Sequence, residues 1–557
     1  MKKIAMRSVR AALQLIPKKL KNKLKQNERL TGLYVRSVRK SGLFFDAPTP
    51  KQTQALYNYW LEVNESAFSK SVGKIDGWQA VIFGTDIQGQ TEEKLKTLGV
   101  KTCFITGGKN KRTLEEHISQ LDDQLPTLLI IGGDSLEKSA ISHLCEALKE
   151  SDLVYCDTDE LDINGAKSSP RFLPDWNPEL QYSTAYINTG VMIKAALLKS
   201  LLITNQTTIA EIVTELSLTI KSLVINHLPL PLVHQIPVKK GESNTLERVK
   251  QVIEKYTKAK VETDEQFSVN RLCWPNSNPL VSLIIPTKNG KALVKACIES
   301  ILEKTIYQNY EILLIDNGSD EQESIEYFSY LDTLEKVRVL RYPAPFNYSA
   351  INNFGIEHAK GSILGLVNND IEVISPDWLN YMVGHVERKD VGCVGAKLLY
   401  SDTRIQHAGV VLGYGGGAGH AHKNFPRFHT GYLKRIVATN NYSAVTAACL
   451  LVKRTHFDAV NGLNEEDLSV AFNDVDFCLK VKGLDVNNVC CAEAELFHHE
   501  SVSRGLDISP EKAARFKREL AYLQTTWSDF IENDPAYNPN LTLKRENFSI
   551  KSTLELK

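Results

Sequence analysis

Four strand-sized apolar runs between residues 281 and 367, with polar clusters at their ends, constrain this chain more than any other feature. Val281–Ile285 reads as a buried strand stopped at Pro286, and Ala292–Glu303 as a helix. Glu311–Ile315 and Val337–Arg341 read as the next two strands. Asn347–Lys360 reads as a helix capped by Asn347, and Ile363–Val367 as a fourth strand running into Asn368-Asn369-Asp370. Strands alternating with helices predict an α/β fold with a doubly wound, mainly parallel sheet. Open sheets of that kind bind ligands at the carboxyl ends of their strands. The polar residues gather there: Thr287, Lys288 and Asn289 after the first strand, Asp316, Asn317 and Gly318 after the second, Asp370 after the fourth.

The chain has 557 residues, too many for one core. An earlier alternation occupies its first half, in the runs Ala80–Phe83, Thr102–Thr106, Thr127–Ile131 and Leu153–Cys156. The expected organisation is a basic amphipathic segment (1–40), a helical connector (41–77), a first α/β domain (78–240), a Lys/Glu/Thr-rich linker (241–278), a second α/β domain (279–527) and a tail (528–557). Lys+Arg and Asp+Glu both number 66, so no global field favours nucleic acid. Residues 1–40 nevertheless hold thirteen Lys/Arg against Glu28 alone, with Leu13, Ile16, Leu20 and Leu24 at helical spacing. That pattern fits either an anionic membrane surface or a solvated helix. Ten scattered cysteines without metal-ligand spacing read as reduced thiols of a cytoplasmic protein, and no apolar run is long enough to span a membrane.

Three polar strand ends describe a nucleotide site. A carboxylate such as Asp316 can accept a base N–H or a ribose hydroxyl, and Asp370 can hold a divalent cation on a diphosphate. Singly, each is also ordinary turn chemistry. Asp474 and Asp476 open an expected helix, Asp474–Val481, where acids also favour the dipole. Gly413–Gly419 has five glycines in seven positions, and reads as a mobile acceptor loop or a hairpin turn rather than a phosphate cradle.

Taken in order, Leu283–Asn289, Ile315–Ser319, Phe346–Asn353 and Leu366–Asp370 resemble family 2 glycosyltransferases, which have the GT-A fold. Gln406–Val410, Gly419–His422, Asn473–Asp476 and His498–Ser501 continue the resemblance, which is similar to bacterial O-antigen and capsule enzymes of rhamnosyltransferase type. It implies donor contacts from Pro286, Thr287, Asn289, Asp316, Asn317, Asn347, Asn353, Asn368 and Asn369, with Thr287 and Asp316 at the nucleoside. It implies Asp474 as general base, and Mg or Mn held by Asp370 with His498 or His499. Arg504 would neutralise the leaving group. Asn368 stands where the family's metal motif has its first acid, leaving Asp370 as that motif's sole carboxylate.

The resemblance further implies an inverting transfer from a UDP- or dTDP-sugar to a glycan or lipid-linked glycan, at the inner face of the cell membrane. A nucleotide-sugar-binding scaffold is the alternative. Leu128–Asp134, Val154–Glu160 and Phe172–Glu179 resemble a second such module more weakly. That module lacks a Pro-Thr-Lys-Asn turn and an Asp-Asn-Gly-Ser equivalent, so a degenerate GT-A-like domain is expected there.

Overall fold

The structure is a computed structural model describing residues 48–556 apart from 71, 74, 85–88, 107–112, 163, 237–243 and 500–508. The basic segment 1–40 and Arg504 therefore lie outside the described residues. The described chain divides into two units: 48–275 with 433–440 and 535–557, and 276–432 with 441–534.

The N-terminal unit opens with α1 (Pro50–Ser69), started by a Thr49–Gln52 capping box. There follow β1 (Gln79–Phe83), α2 (Gln90–Thr97), β2 (Thr102–Ile105), α3 (Leu114–Ser119), β3 (Pro126–Ile131), β4 (Ser135–Leu136) and α4 (Ala140–Leu148). Next come β5 (Leu153–Leu161), β6 (Lys167–Arg171), α5 (Pro178–Thr184), β7 (Val191–Lys194), α6 (Ala195–Lys199), α7 (Ile209–Thr219) and β8 (Ile225–Gln235). The sheet order is β2-β1-β3-β7-β5-β8-β4.

The stretch expected as a linker instead folds into α8 (Thr245–Tyr256) and the hairpin β9 (Lys260–Asp264)–β10 (Val269–Cys273). Val249, Val252 and Ile253 supply a buried stripe at helical spacing, which the Lys- and Glu-rich composition conceals. The expected connector and tail also pack into this unit. Tyr57 and Trp60 of α1 are fully buried, and Asn538 donates to the Asp157 carboxylate at 3.0 Å.

The C-terminal unit runs β11 (Val281–Thr287), α9 (Lys291–Lys304), β12 (Tyr310–Asp316), α10 (Gln322–Leu331), β13 (Val337–Arg341), α11 (Tyr348–Glu357), β14 (Ile363–Val367) and β15 (Ile371–Val373). It continues through α12 (Trp378–Val386), β16 (Val391–Leu399), β17 (Ile405–His407), β18 (Val410–Leu412), β19 (Ala418–His420) and β20 (Asn440–Asn441). It finishes with β21 (Cys449–Lys453), α13 (Arg454–Ala459), α14 (Asn473–Lys482), β22 (Asn487–His498), α15 (Pro510–Thr526) and α16 (Ser528–Glu532). The sheet order is β13-β12-β11-β14-β21-β16-β22-β15.

Strands β11 to β14 are parallel, as their helical crossovers require, while β21 inserts antiparallel between β14 and β16. Helices cover both faces. Leu283, Ile285, Ile312 and Leu314 pack with Val294, Ile298 and Phe328 in one core. On the other face α11 comes so close that a Cβ at Gly355 would lie 2.7 Å from Ile284. The glycine-rich segment is a turn between β18 and β19, where a Cβ at Gly417 would meet Leu520 of α15 at 2.7 Å.

The two sheets share one plan. Deleting β13 from the C-terminal order leaves seven strands that match the N-terminal order one for one, with the same connectivity. Under that correspondence β3 matches β14, β8 matches β22, and α7 matches α14.

Candidate functional site: the cleft at the strand ends

A cleft of about 650 Å³ opens in the C-terminal unit, lined mostly by residues at strand and helix ends. Pro286 and Thr287 end β11, Asn317 follows β12, and Asn368, Asn369 and Asp370 follow β14. Because β21 is antiparallel to β14, its leading residues Thr446, Ala447 and Ala448 arrive at the same edge. His498 closes β22, and Asn473 and Asp474 begin α14. The fold thus joins residues up to 229 positions apart (Pro286 and Arg515).

Asp474 is half-buried, with Oδ2 accepting from the Ala447 N–H at 3.1 Å and Oδ1 from the Val475 N–H at 2.9 Å. Burial pushes its carboxyl above the usual range, partly offset by those donors. Phe472, the N-cap of α14 two residues before Asp474, has φ 61°, a strained conformation for a bulky side chain. Glu519 of α15 holds that turn: Oε1 accepts from the Val470 N–H at 2.9 Å and Oε2 from the Ala471 N–H at 3.2 Å. Asp476, by contrast, is fully buried, accepts the Trp527 indole N–H at 2.9 Å and pairs with Lys480 at 2.7 Å. It anchors the helix and does not line the cleft.

Asp370 Oδ1 lies 3.2 Å from His498 Nε2 but accepts no hydrogen bond, and His498 Nδ1 is likewise buried without a partner. Asn368 Nδ2 is 3.3 Å from His498 Nε2, and Asn369 Nδ2 donates to Thr287 Oγ1 at 2.9 Å. Asp370 Oδ1 and the His498 Nε2 that faces it suit a divalent cation whose remaining ligands are phosphate oxygens and water. No third His, Cys, Asp or Glu among the described residues completes a metal cluster.

Several residues expected in the site stand elsewhere. His499 points to Ser401 Oγ (2.7 Å) and Glu372 Oε2 (3.1 Å), away from Asp370, because successive strand residues face opposite ways. Asn347 caps α11 and donates to Glu465 O at 2.9 Å, while Asn353 donates to Leu463 O at 3.0 Å. Both amides pin the 463–465 turn and neither lines the cleft. Asn289, at φ 56°, clamps the next loop by accepting from the N–H groups of Asp320 and Glu321. Asp316 is 4% exposed and engaged by the Ser319 N–H (2.8 Å) and Arg341 (3.0 Å), so it does not line the cleft. Asn317 does, although its amide donates to Tyr342 O and Ala344 O.

The cleft also contains residues given no role from sequence. The Tyr348 hydroxyl lies 3.2 Å from Asn368 Oδ1 and 3.1 Å from Ala447 O, joining the metal-motif turn to the Asp474 side. Lys288, Lys512 and Arg515 are the Lys and Arg residues that line it among the described residues. Tyr348 sat inside a motif recognised from sequence, whereas Lys512 and Arg515 had no local signal beyond helical spacing.

In the N-terminal unit the corresponding place is built differently. Gly132-Gly133-Asp134 stands where the C-terminal unit has Asn368-Asn369-Asp370, and α7 begins Ile209-Ala210 where α14 begins Asn473-Asp474. The Asp134 carboxyl is pushed up to about 7 by burial, against the Thr189 hydroxyl donating to it at 2.8 Å. Tyr57 of α1 donates to Asp159 at 2.5 Å, and Asp159 in turn meets His234 Nδ1 at 2.5 Å.

Residues 282–458 match the family model described as Glycosyl transferase family 2. The uncharacterised protein y4gI of Sinorhizobium fredii is 41% identical over 432 residues, which cover 74% of this chain and 47% of that protein. The O-antigen biosynthesis protein RfbC of Myxococcus xanthus is 31% identical over 439 residues, 74% of this chain and 33% of RfbC. The chain therefore spans about half the length of the first relative and a third of the second. Among solved structures, GalNAc-T7 with UDP, GalNAc and Mn2+ aligns with a TM-score of 0.39 at 14% identity, over 48% of this chain and 52% of that one. The matched residues carry the β11, β12 and β14 ends of the cleft, and the C-terminal unit contains a glycosyl transferase family 2 domain over residues 282–458.

Proposed function

We propose that the C-terminal unit transfers a sugar, with inversion, from a nucleoside diphosphate donor to a hydroxyl of a glycan acceptor in surface-polysaccharide biosynthesis. The observation that carries this reading is Asp474, a single carboxylate held by backbone donors in the same cleft as the β11, β12 and β14 ends. The acceptor hydroxyl gives its proton to Asp474 as its oxygen bonds to the anomeric carbon. The bond from that carbon to the diphosphate oxygen breaks, and the nucleoside diphosphate leaves. Attack opposite the leaving group inverts the configuration.

The nucleoside lies toward Pro286, Thr287 and Asn317, and the diphosphate toward Asn368, Asn369 and Asp370. Asp370 and His498 would hold a Mg or Mn ion, which supplies charge neutralisation to the diphosphate. Lys512 and Arg515 of α15 place two further cations on the cleft wall for the same developing charge. Arg504, given the same part from sequence, lies outside the described residues.

The similarity to the O-antigen biosynthesis protein RfbC supports the polysaccharide setting. A lipid-linked acceptor, UDP- or dTDP-linked sugars and peripheral binding at the cytoplasmic membrane face belong to the same proposal. No helix among the described residues is long and apolar enough to cross a membrane. The N-terminal unit is read as a degenerate, non-catalytic copy, because Ala210 stands where Asp474 does. One observation favours a scaffold instead: the metal motif has a single carboxylate, Asp370. Release of free or transferred sugar from labelled nucleotide sugars by the purified protein, abolished by Asp474→Asn, supports the enzyme. Saturable donor binding without turnover of any donor would support the scaffold.

A further inference from the structure

Gln406 is 3% exposed on β17, lines the cleft, and leaves its Oε1 buried without a hydrogen-bond partner. A buried acceptor with no donor is costly in a folded protein, and one that borders a ligand cleft is satisfied when a ligand brings the donor. Its neighbours are committed elsewhere: His407 Nδ1 and His420 Nδ1 lie 2.9 Å apart.

The sheet order says which part of the substrate reaches Gln406. Pro286 and Asn317 lie at the ends of β11 and β12, and Asp370 follows β14, the next strand. Ala447, the Asp474 partner, precedes β21, which comes next; beyond it is β16, whose hairpin mate β17 carries Gln406. A donor laid with its nucleoside at β11 and β12 and its diphosphate at Asp370 extends its sugar toward β17. We infer that Gln406 accepts a hydrogen bond from one hydroxyl of the sugar being transferred and thereby selects the donor. This rests on the glycosyltransferase reading of the cleft, and names the hydroxylated hexose or deoxyhexose as the group read there.

The test uses the full chain and, once a turned-over donor is found, its set of monodeoxy sugar analogues. In the wild type, removing one particular hydroxyl lowers kcat/KM tenfold or more. In Gln406→Met, which keeps the volume but not the acceptor, the parent donor loses a similar factor and that deoxy analogue loses little further. Gln406→Asn, which retracts the amide by one methylene, behaves alike. Affinity for UDP and dTDP without sugar stays within twofold in both variants, which excludes general damage to the cleft. Equal losses from every deoxygenation in wild type and variants overturn the inference, as does coupling seen only with deoxy acceptors. Wild-type kinetics in both variants also overturn it while leaving the transferase intact. Absence of transfer or hydrolysis by the wild type with every donor removes the underlying reading itself.

Discussion

Asp370 Oδ1 and His498 Nε2 lie 3.2 Å apart because the residue after Asp370, Ile371, is the antiparallel ladder partner of His498. Strand register fixes this pair across 128 residues of chain. The N-terminal unit repeats the device: Ser135 follows Asp134 and is the ladder partner of His234. The register is the same in both units, while the side chains around it differ.

Asp474→Asn removes the proton acceptor but keeps a similar shape, so donor binding persists and transfer falls roughly a hundredfold or more. In the wild type, burial raises the Asp474 pKa. The base works deprotonated, so kcat/KM rises with pH through that elevated value and its acid limb lies above the range of an ordinary carboxylate. Steady-state profiles of wild type and variant check both points. Near-normal turnover by the variant removes Asp474 from the mechanism.

Asp370→Ala weakens nucleoside diphosphate binding and the response to Mg or Mn together, since one carboxylate serves both. His498→Ala reduces the same response, whereas His499→Ala leaves it unchanged because His499 faces Glu372 and Ser401. Calorimetric titration of UDP and dTDP with chelator or added Mn reads all three. Activity indifferent to chelator and to Asp370→Ala assigns the leaving-group charge to Lys512 and Arg515 instead.

Nucleoside diphosphate binding saturates at one equivalent per chain. The N-terminal copy has Ala210 in place of Asp474, two glycines before Asp134, and Tyr57 donating to Asp159. A stoichiometry of two in titration calorimetry, abolished at one site by Asp134→Ala, makes that unit a second donor site.

Asp134 supplies a stability signature independent of catalysis. Its folded pKa of about 7 exceeds the ordinary value of 3.8. The folded state therefore keeps a proton that the unfolded chain releases, and stability from this group is full below the unfolded value and lost as pH rises through the folded one. Asp134→Asn removes that loss, so its melting temperature relative to wild type increases from pH 4 to pH 7. A difference independent of pH over that window contradicts the assignment.

Deleting residues 1–40 reduces sedimentation with anionic vesicles and leaves donor affinity unchanged. Thirteen cations against one acid contribute about 1 kcal/mol each near such a surface, and salt screens the attraction. Equal sedimentation of both chains at low salt sinks the membrane reading.

The sequence by itself determined the α/β alternation, the strand ends of the C-terminal unit and the candidates Thr287, Asp370, Asp474 and His498. Each rests on a local signal: an apolar run, a stop at Pro286, or a motif read within a few residues. Composition misled where it averaged over a face, so the Lys- and Glu-rich stretch hid the buried stripe of α8.

Tertiary structure decided which polar residues face the cleft. Asn347, Asn353 and Asn289 look identical in sequence to ligand-binding amides, but each spends its hydrogen bonds on a neighbouring loop. His498 and His499 differ only in the face of the strand they leave, a choice set by the register with Ile371. Gln406, Lys512 and Arg515 join the site because β17 and α15 pack beside strands distant in sequence. Local propensity fixes what a segment becomes, whereas pairing register and helix docking fix which side chains meet, since those depend on partners the segment does not contain.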